Sequence, residues 1–163
     1  MSWAKIVNEK SSLANALDLV GDHWALMIIT GCMTGFSRFN QIERHLGINR
    51  NLLKTKLDRL VSAGVFEKKP YKENSKHFEY LPTEMCLKLR PIIVGLASWG
   101  EQFLTKEDTP ITNRHAVCGG KVEVKLYCMR CDDDDLTSMD VELTLNPDAG
   151  KMATLIVDTQ NVA

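Results

Sequence analysis

With 163 residues, 44% of them hydrophobic, the chain is long enough to bury a core as one domain with an appendage. No apolar run approaches the roughly 18 residues of a membrane span, and the opening "MSWAKIVNEK" lacks the charged-then-apolar order of a signal peptide, so a cytoplasmic protein without membrane contact is expected. The net charge of −1 hides a division: residues 36–80 hold ten Lys/Arg against five Asp/Glu, whereas residues 101–163 hold six against twelve, which points to a polyanion partner for the middle and a separate role for the tail.

A first helix fits "SSLANALDLVG", with Ser11 or Ser12 as cap, Leu13, Leu17 and Val20 on one face and Gly21 as stop. Asp22 caps a second, "HWALMIITGCM", apolar nearly all round and therefore central. A short third helix follows in "SRFNQIERHL", with Ser37 as cap and Phe39, Ile42 and Leu46 inward. Gly47 makes a tight turn and Asn49 caps a fourth helix, on which Leu53, Leu57, Leu60 and Val61 share the core face while Arg50, Asn51, Lys54, Thr55 and Arg59 lie opposite; Gly64 is a left-handed stop.

"VFEKKPY" and "HFEYLP" alternate as two short strands joined by "KENSK", a hairpin with a basic tip. From Thr83 onward, Met85, Leu89, Ile92, Leu96, Trp99 and Phe103 recur at spacings of 4, 3, 4, 3 and 4, an a/d seam in the longest helix, which Pro91 should kink or restart. Beyond it, "KVEVKLY", "DVELTL" and the run 153–157 read as short strands. The expected fold is therefore α+β, mainly α, with residues 1–104 as one domain and 105–163 as a small β-rich extension.

Helix, helix, short helix, tight turn, amphipathic helix, hairpin: this is the order of a winged helix-turn-helix, whose helix after the turn enters the DNA major groove with its N-terminal residues nearest the base edges. Asn reads adenine bidentately and Arg reads guanine, while Arg38 and the hairpin tip would meet phosphates. The expected contacts to double-stranded DNA are Arg38, Asn49, Arg50, Asn51, Lys54, Thr55, Arg59, Lys72 and Lys76.

From about Ser11 to Phe103 the chain resembles the HxlR-type transcriptional regulators of bacteria and some archaea, through "ALDLVGDHWALMII", "RFNQIERHLGINRNLLKTKLDRLVSAGVFEK", "EYLPTE" and "ASWGE" in that order. The resemblance implies a homodimer on a palindromic operator, joined through the first and last helices. The heptad spacing adds Leu89, Ile92, Leu96, Trp99 and Phe103 to that interface, with Leu13 and Leu17 as the second contribution. Several members of that family sense oxidants, quinones or aldehydes through a cysteine near the start of the first helix. Ser11 and Ser12 stand there in this chain, and neither supplies a thiolate nucleophile. The run "INRNLLKTK" also departs from the Ser-Pro-Lys opening of relatives, with Arg50 in place of an inert proline, so their operators do not transfer.

Five cysteines, an odd number, argue against a disulfide framework; Cys32 and Cys86 fall in apolar helical patterns and should be buried thiols. The other three stand in "HAVCGGKVEVKLYCMRC", which reads His-x2-Cys, nine residues, Cys-x2-Cys. His115, Cys118, Cys128 and Cys131 are thus candidate ligands of a structural zinc, although no cofactor is required for DNA recognition. A ribbon that folds without metal, or a reducible Cys128–Cys131 pair, stays open. The run Asp132 to Asp135 lacks the spacing and glycine of a calcium loop.

Four scattered histidines, no phosphate loop and no nucleophile elbow exclude an enzyme. The expectation is a homodimeric, sequence-specific transcription regulator, a repressor in preference to an activator, with an unidentified small-molecule effector as a further partner. The alternatives are a small-molecule, metal or redox sensor in which the Cys/His tail does the sensing, and a protein–protein adaptor using the winged helix as scaffold.

Overall fold

The computed structural model describes residues 11–72, 77–105 and 112–142. In chain order these form α1 (Ser12–Val20), α2 (His23–Met33), α3 (Phe39–Leu46), α4 (Arg50–Ser62), β1 (Phe66–Pro70), β2 (Phe78–Pro82), α5 (Glu84–Leu87) and α6 (Arg90–Phe103), followed by a 3-10 turn at Ser138–Asp140. Contacts group the chain into two units, Leu17–Val124 and a second made of the N-terminal residues through Ala16 and the residues from Lys125 onward.

The caps form where short polar side chains precede apolar runs. The Ala14 N–H donates to Ser11 Oγ at 3.2 Å, and the Ala25 N–H donates to Asp22 Oδ1 at 3.1 Å. Asn49 Oδ1 accepts from the Asn51 and Leu52 N–H groups at 2.9 and 3.3 Å. One cap differs from the sequence reading. The Ser37 carbonyl accepts the Tyr80 N–H at 2.7 Å, which holds Ser37 against β2, so α3 begins one residue later with Arg38 as its N-cap.

α2 is the central helix. Ala25, Ile28, Ile29, Gly31 and Cys32 are buried along it, and Ile28, Ile29 and Cys32 join Ile42 of α3, Leu53, Leu57 and Leu60 of α4, Phe66, Tyr80 and Cys86 in one cluster. Each fully buried Leu, Ile or Phe side chain contributes about 1.5–3 kcal/mol, so the faces of α3 and α4 that turn inward are determined by this cluster. β1 and β2 pair antiparallel, with Phe66 opposite Pro82 and Pro70 opposite Phe78.

Pro91 restarts the helix. Thr83 caps the single turn of α5, and α6 begins at Arg90 with Pro91 in its first turn, where a missing N–H costs nothing. Among the described residues no single helix is long and apolar enough to cross a membrane.

Beyond α6 the structure departs from the expected strands. The alternating run "KVEVKLY" forms no ladder; residues 112–142 hold only two isolated bridges, Arg114 with Lys121 and Leu126 with Leu136. No described residue of that segment is buried: Val122 is half-buried and Val124, beside Gly95 of α6, stays 46% exposed, which is little apolar contact to hold an alternating strand. Most of "DVELTL" and the run 153–157 lie outside the described residues.

Candidate nucleic-acid interface

The turn between α3 and α4 is set by Gly47. Its φ of 62° lies in the left-handed region, where a side chain on any other residue would be strained, and its N–H donates to the Glu43 carbonyl at 2.9 Å. Two residues later Asn49 starts α4. Because Leu53, Leu57 and Leu60 are buried, the helix has one possible rotation, and Arg50, Asn51, Lys54 and Thr55 lie exposed along its first two turns.

Their side chains differ in readiness. Asn51 has no side-chain hydrogen-bond partner among the described residues; only its backbone is engaged, its N–H with Asn49 and its carbonyl with the Thr55 hydroxyl at 3.0 Å. Arg50 Nη1 donates to Glu43 Oε2 at 2.9 Å and lies near Asn40 Oδ1, with its guanidinium 4.7 Å from the centre of the Phe39 ring. Lys54 Nζ meets Asp58 Oδ2 at 2.7 Å, and that hydrogen bond holds its ammonium above the ordinary lysine value. Asn49, included among the expected contacts, spends its side-chain oxygen on the helix cap. Arg59, also included, sits near the C-terminal end of α4 and pairs with Asp18 of α1.

The flank of α4 is built from α3 and the hairpin. Arg38 Nε is 3.2 Å from Glu79 Oε1, and its guanidinium stacks 3.6 Å over the Tyr71 ring; the bond to Glu79 raises its already high pKa. Arg38, Asn40, Gln41, Arg50, Tyr71 and His77 line a cleft of about 480 Å³ between the start of α3, the start of α4 and the hairpin. Lys72 is exposed beside Tyr71, while Lys76 lies outside the described residues. The cleft therefore joins planar, polar and cationic groups on one side of α4, a chemistry suited to phosphate and base edges.

Sequence reasoning missed the partners. Glu43, which holds Arg50, and Tyr71, which carries Arg38, were not singled out, because neither pairing follows from helical spacing. Lys56 was also passed over: its Nζ meets Asp22 Oδ2 at 2.9 Å, linking α4 to the cap of α2. Burial would raise the Asp22 carboxyl, but the bonds from Lys56 and the Ala25 N–H outweigh it and leave Asp22 below its ordinary value.

The expected seam is exposed along α6. Ile92, Leu96, Trp99 and Phe103 are 61%, 55%, 52% and 62% exposed, and the Trp99 and Phe103 rings lie 5.8 Å apart. Leu13 and Leu17 on α1 are exposed as well. Leu89 is the exception: it precedes α6 and packs half-buried against the core cluster. Cys32 and Cys86 are buried as expected, and burial pushes their thiols up to about 12 and about 11.

The four tail ligand candidates appear as two pairs. His115 Nδ1 is 3.1 Å from Cys118 Sγ, and the Cys128 thiol is lowered by the backbone N–H groups of Cys131 and Arg130. Among the described residues no group of three or more His, Cys, Asp or Glu side chains converges to hold a metal ion.

A helix-turn-helix with an exposed polar second helix and a two-stranded wing defines a DNA-binding protein of the winged-helix class. The HxlR-like helix-turn-helix family matches residues 19–108, and the chain belongs to it. It is 38% identical to the "Uncharacterized HTH-type transcriptional regulator Rv3095" of Mycobacterium tuberculosis over 77% of this chain and 80% of that protein. The crystal structure of PA1607, described as a candidate transcription factor, superposes with a TM-score of 0.77 at 25% identity over 87% of this chain and 99% of that one. The redox regulator HypR in its reduced form matches with a TM-score of 0.52 at 28% identity, over 56% of this chain and 92% of that one. The protein is a transcription regulator with a winged helix-turn-helix fold and not an enzyme.

Proposed function

We propose that the protein is a homodimer that binds a palindromic operator through α4 and represses transcription, in the cytoplasm where a bacterial or archaeal chromosome lies. The observation that carries this reading is the first turn of α4: Asn51 stands exposed with its side chain unpartnered among the described residues, beside Arg50 and Lys54. An unpaired amide at that position of a recognition helix is ready to make the two hydrogen bonds that adenine offers in the major groove. Arg50 reads a neighbouring base, Lys54 and Thr55 touch bases or phosphates, and Arg38 and Lys72 hold the backbone on either side. Arg59 supports the helix through Asp18 rather than contacting DNA.

Dimerisation is supported by the row Ile92, Leu96, Trp99 and Phe103. Four large apolar side chains more than half exposed at 4-3-4 spacing leave a stripe that a second copy of α6 would cover. A thiol switch at Cys32 or Cys86 is disfavoured, because buried thiols at about 12 and about 11 hold almost no thiolate near neutral pH.

Selection of bound sequences from a random duplex library tests the reading. A palindrome with half-sites about one helical turn apart, or a multiple, is the expected result. Enrichment of a single unpaired site would remove the dimer, and no enrichment would remove sequence-specific binding by the unliganded protein.

A further inference from the structure

Between α4 and the hairpin the surface dips into a second cleft, of about 210 Å³, beside the one that Arg38 lines. Arg50, Asn51, Lys54 and Asp58 line its α4 side, and Lys68 and Tyr80 its hairpin side. The two clefts share Phe39, Arg50 and Tyr80, so they adjoin as one furrow between helix and hairpin. Tyr80 is buried and Phe39 half-buried, so aromatic carbon forms the floor and the cations stand along the walls.

Lys68 differs from the other Lys and Arg side chains of the furrow. Arg38, Arg50 and Lys54 each touch a carboxylate, that of Glu79, Glu43 and Asp58 respectively. Lys68 touches none among the described residues. Its ammonium lies 4.6 Å from the centre of the Phe78 ring and 5.8 Å from that of Tyr80. Ring faces hold an ammonium in place without neutralising it. The charges of Arg50 and Glu43 cancel, as do those of Lys54 and Asp58, and Lys68 is left as the uncompensated charge of the smaller cleft.

Strand geometry explains why this lysine and not its neighbour stands there. Successive side chains of a strand point to opposite faces. Phe66 is buried, and Lys68, two residues on, shares its face and stands opposite Tyr80. Glu67 and Lys69 fall on the other face, where they pair at 3.0 Å. The run "FEKKP" by itself does not say which lysine faces α4; the burial of Phe66 and Tyr80 does.

In a duplex a sugar–phosphate backbone separates the major groove from the adjacent minor groove. A helix in the one and a hairpin reaching towards the other therefore have a DNA strand between them. We propose, resting on the reading of α4 as the recognition helix, that the furrow is the track of that strand and that Lys68 binds a phosphodiester in it. The contact is made to phosphate and to no base, so it strengthens binding to every sequence and fixes how the duplex lies across helix and hairpin.

The test titrates full-length wild type, Lys68→Met, Lys68→Arg and Lys69→Met with the selected operator and with a random-sequence duplex over a range of salt. Methionine keeps an unbranched stem over the rings and removes the charge, and thermal unfolding checks that the fold survives; Lys68→Gln reads the same loss of charge where it does not. Lys68→Met should flatten the log–log salt dependence by about 0.9 per protomer on both duplexes and leave base preference unchanged. Lys68→Arg and Lys69→Met should keep the wild-type slope. Operators that each carry one uncharged methylphosphonate locate the contact: one replacement in each half-site should weaken the wild type several-fold and leave Lys68→Met unaffected. An unchanged slope in Lys68→Met, an equal loss in Lys69→Met, or no phosphate whose replacement spares the variant would each overturn the proposal while leaving the reading of α4 in place. A wild type that binds neither duplex would overturn that reading, and this contact with it.

Discussion

Replacing Asn51 by alanine isolates the proposed recognition contact from the stability of its helix. The Asn51 side chain has no hydrogen-bond partner among the described residues, and the cap from Asn49 is made to its backbone N–H, which alanine keeps. Alanine has the higher helix propensity by about 0.5 kcal/mol, so the variant should unfold no earlier than wild type. A bidentate adenine contact is worth about 1–3 kcal/mol per half-site. Since both protomers of the proposed dimer would carry the change, affinity for the selected operator should fall at least about 30-fold. The informative assay is fluorescence anisotropy on the operator and on each single base-pair variant of it. The loss should concentrate at one position of each half-site, where the variant becomes indifferent to the base. Unchanged affinity together with unchanged base preference would mean that the first turn of α4 does not face the bases.

Lys72→Ala should weaken binding to all sequences alike and flatten the log–log salt dependence by about 0.9 per protomer, the release of one phosphate contact; a change in base preference would refute this. Leu96→Glu should leave circular dichroism unchanged, because the side chain is 55% exposed in the single chain, yet convert a dimer to monomer in sedimentation equilibrium. A carboxylate buried at such a contact costs at least about 2 kcal/mol, roughly 30-fold in dissociation constant, and a persisting dimer would remove α6 from the interface. Lys56→Met should lower stability at neutral pH by about 0.5–1 kcal/mol, the worth of a partly exposed ion pair. Because the folded Asp22 lies below its ordinary value of 3.8, that difference is present in full well above pH 3.8 and vanishes as pH falls through the folded value. Urea unfolding at a series of pH values reads it, and a difference that survives in acid would refute the pairing.

The winged helix was legible because each of its elements announces itself locally. Asp22 and Asn49 cap where short acceptors precede apolar runs, Gly47 and Gly64 take left-handed turns, and Pro91 restarts a helix. The core face of α4 was readable from leucine spacing alone. Long-range pairings were not. Ser37 looks like a cap in isolation, and only the pull of Tyr80 on its carbonyl shifts the start of α3 to Arg38. Leu89 fits the heptad, but the helix break at Pro91 detaches it from the row and turns it to the core. The tail misled for the opposite reason: "KVEVKLY" has the alternation of a strand, but its apolar positions are at most half-buried, so periodicity had little packing to express.

Three cations around α4 are paired before DNA arrives. Arg38 is held by Glu79 at 3.2 Å, Arg50 by Glu43 at 2.9 Å and Lys54 by Asp58 at 2.7 Å. Each pair is exposed to solvent, which screens it, so each yields to a well-placed phosphate or guanine. A poorly placed phosphate must instead compete with a carboxylate already in contact, and the carboxylate repels it. If α4 reads an operator as proposed, the resident acids weaken binding to arbitrary sequence more than binding to the operator, which raises the ratio between the two. Glu43→Gln tests this, because it frees Arg50 and removes a negative charge beside the cleft while keeping the side chain's size. Affinity for random-sequence duplex should rise several-fold at low salt, operator affinity should change less, and the specificity ratio should fall. Random-duplex binding that stays constant or weakens would show that Glu43 positions Arg50 for the operator rather than restraining it elsewhere.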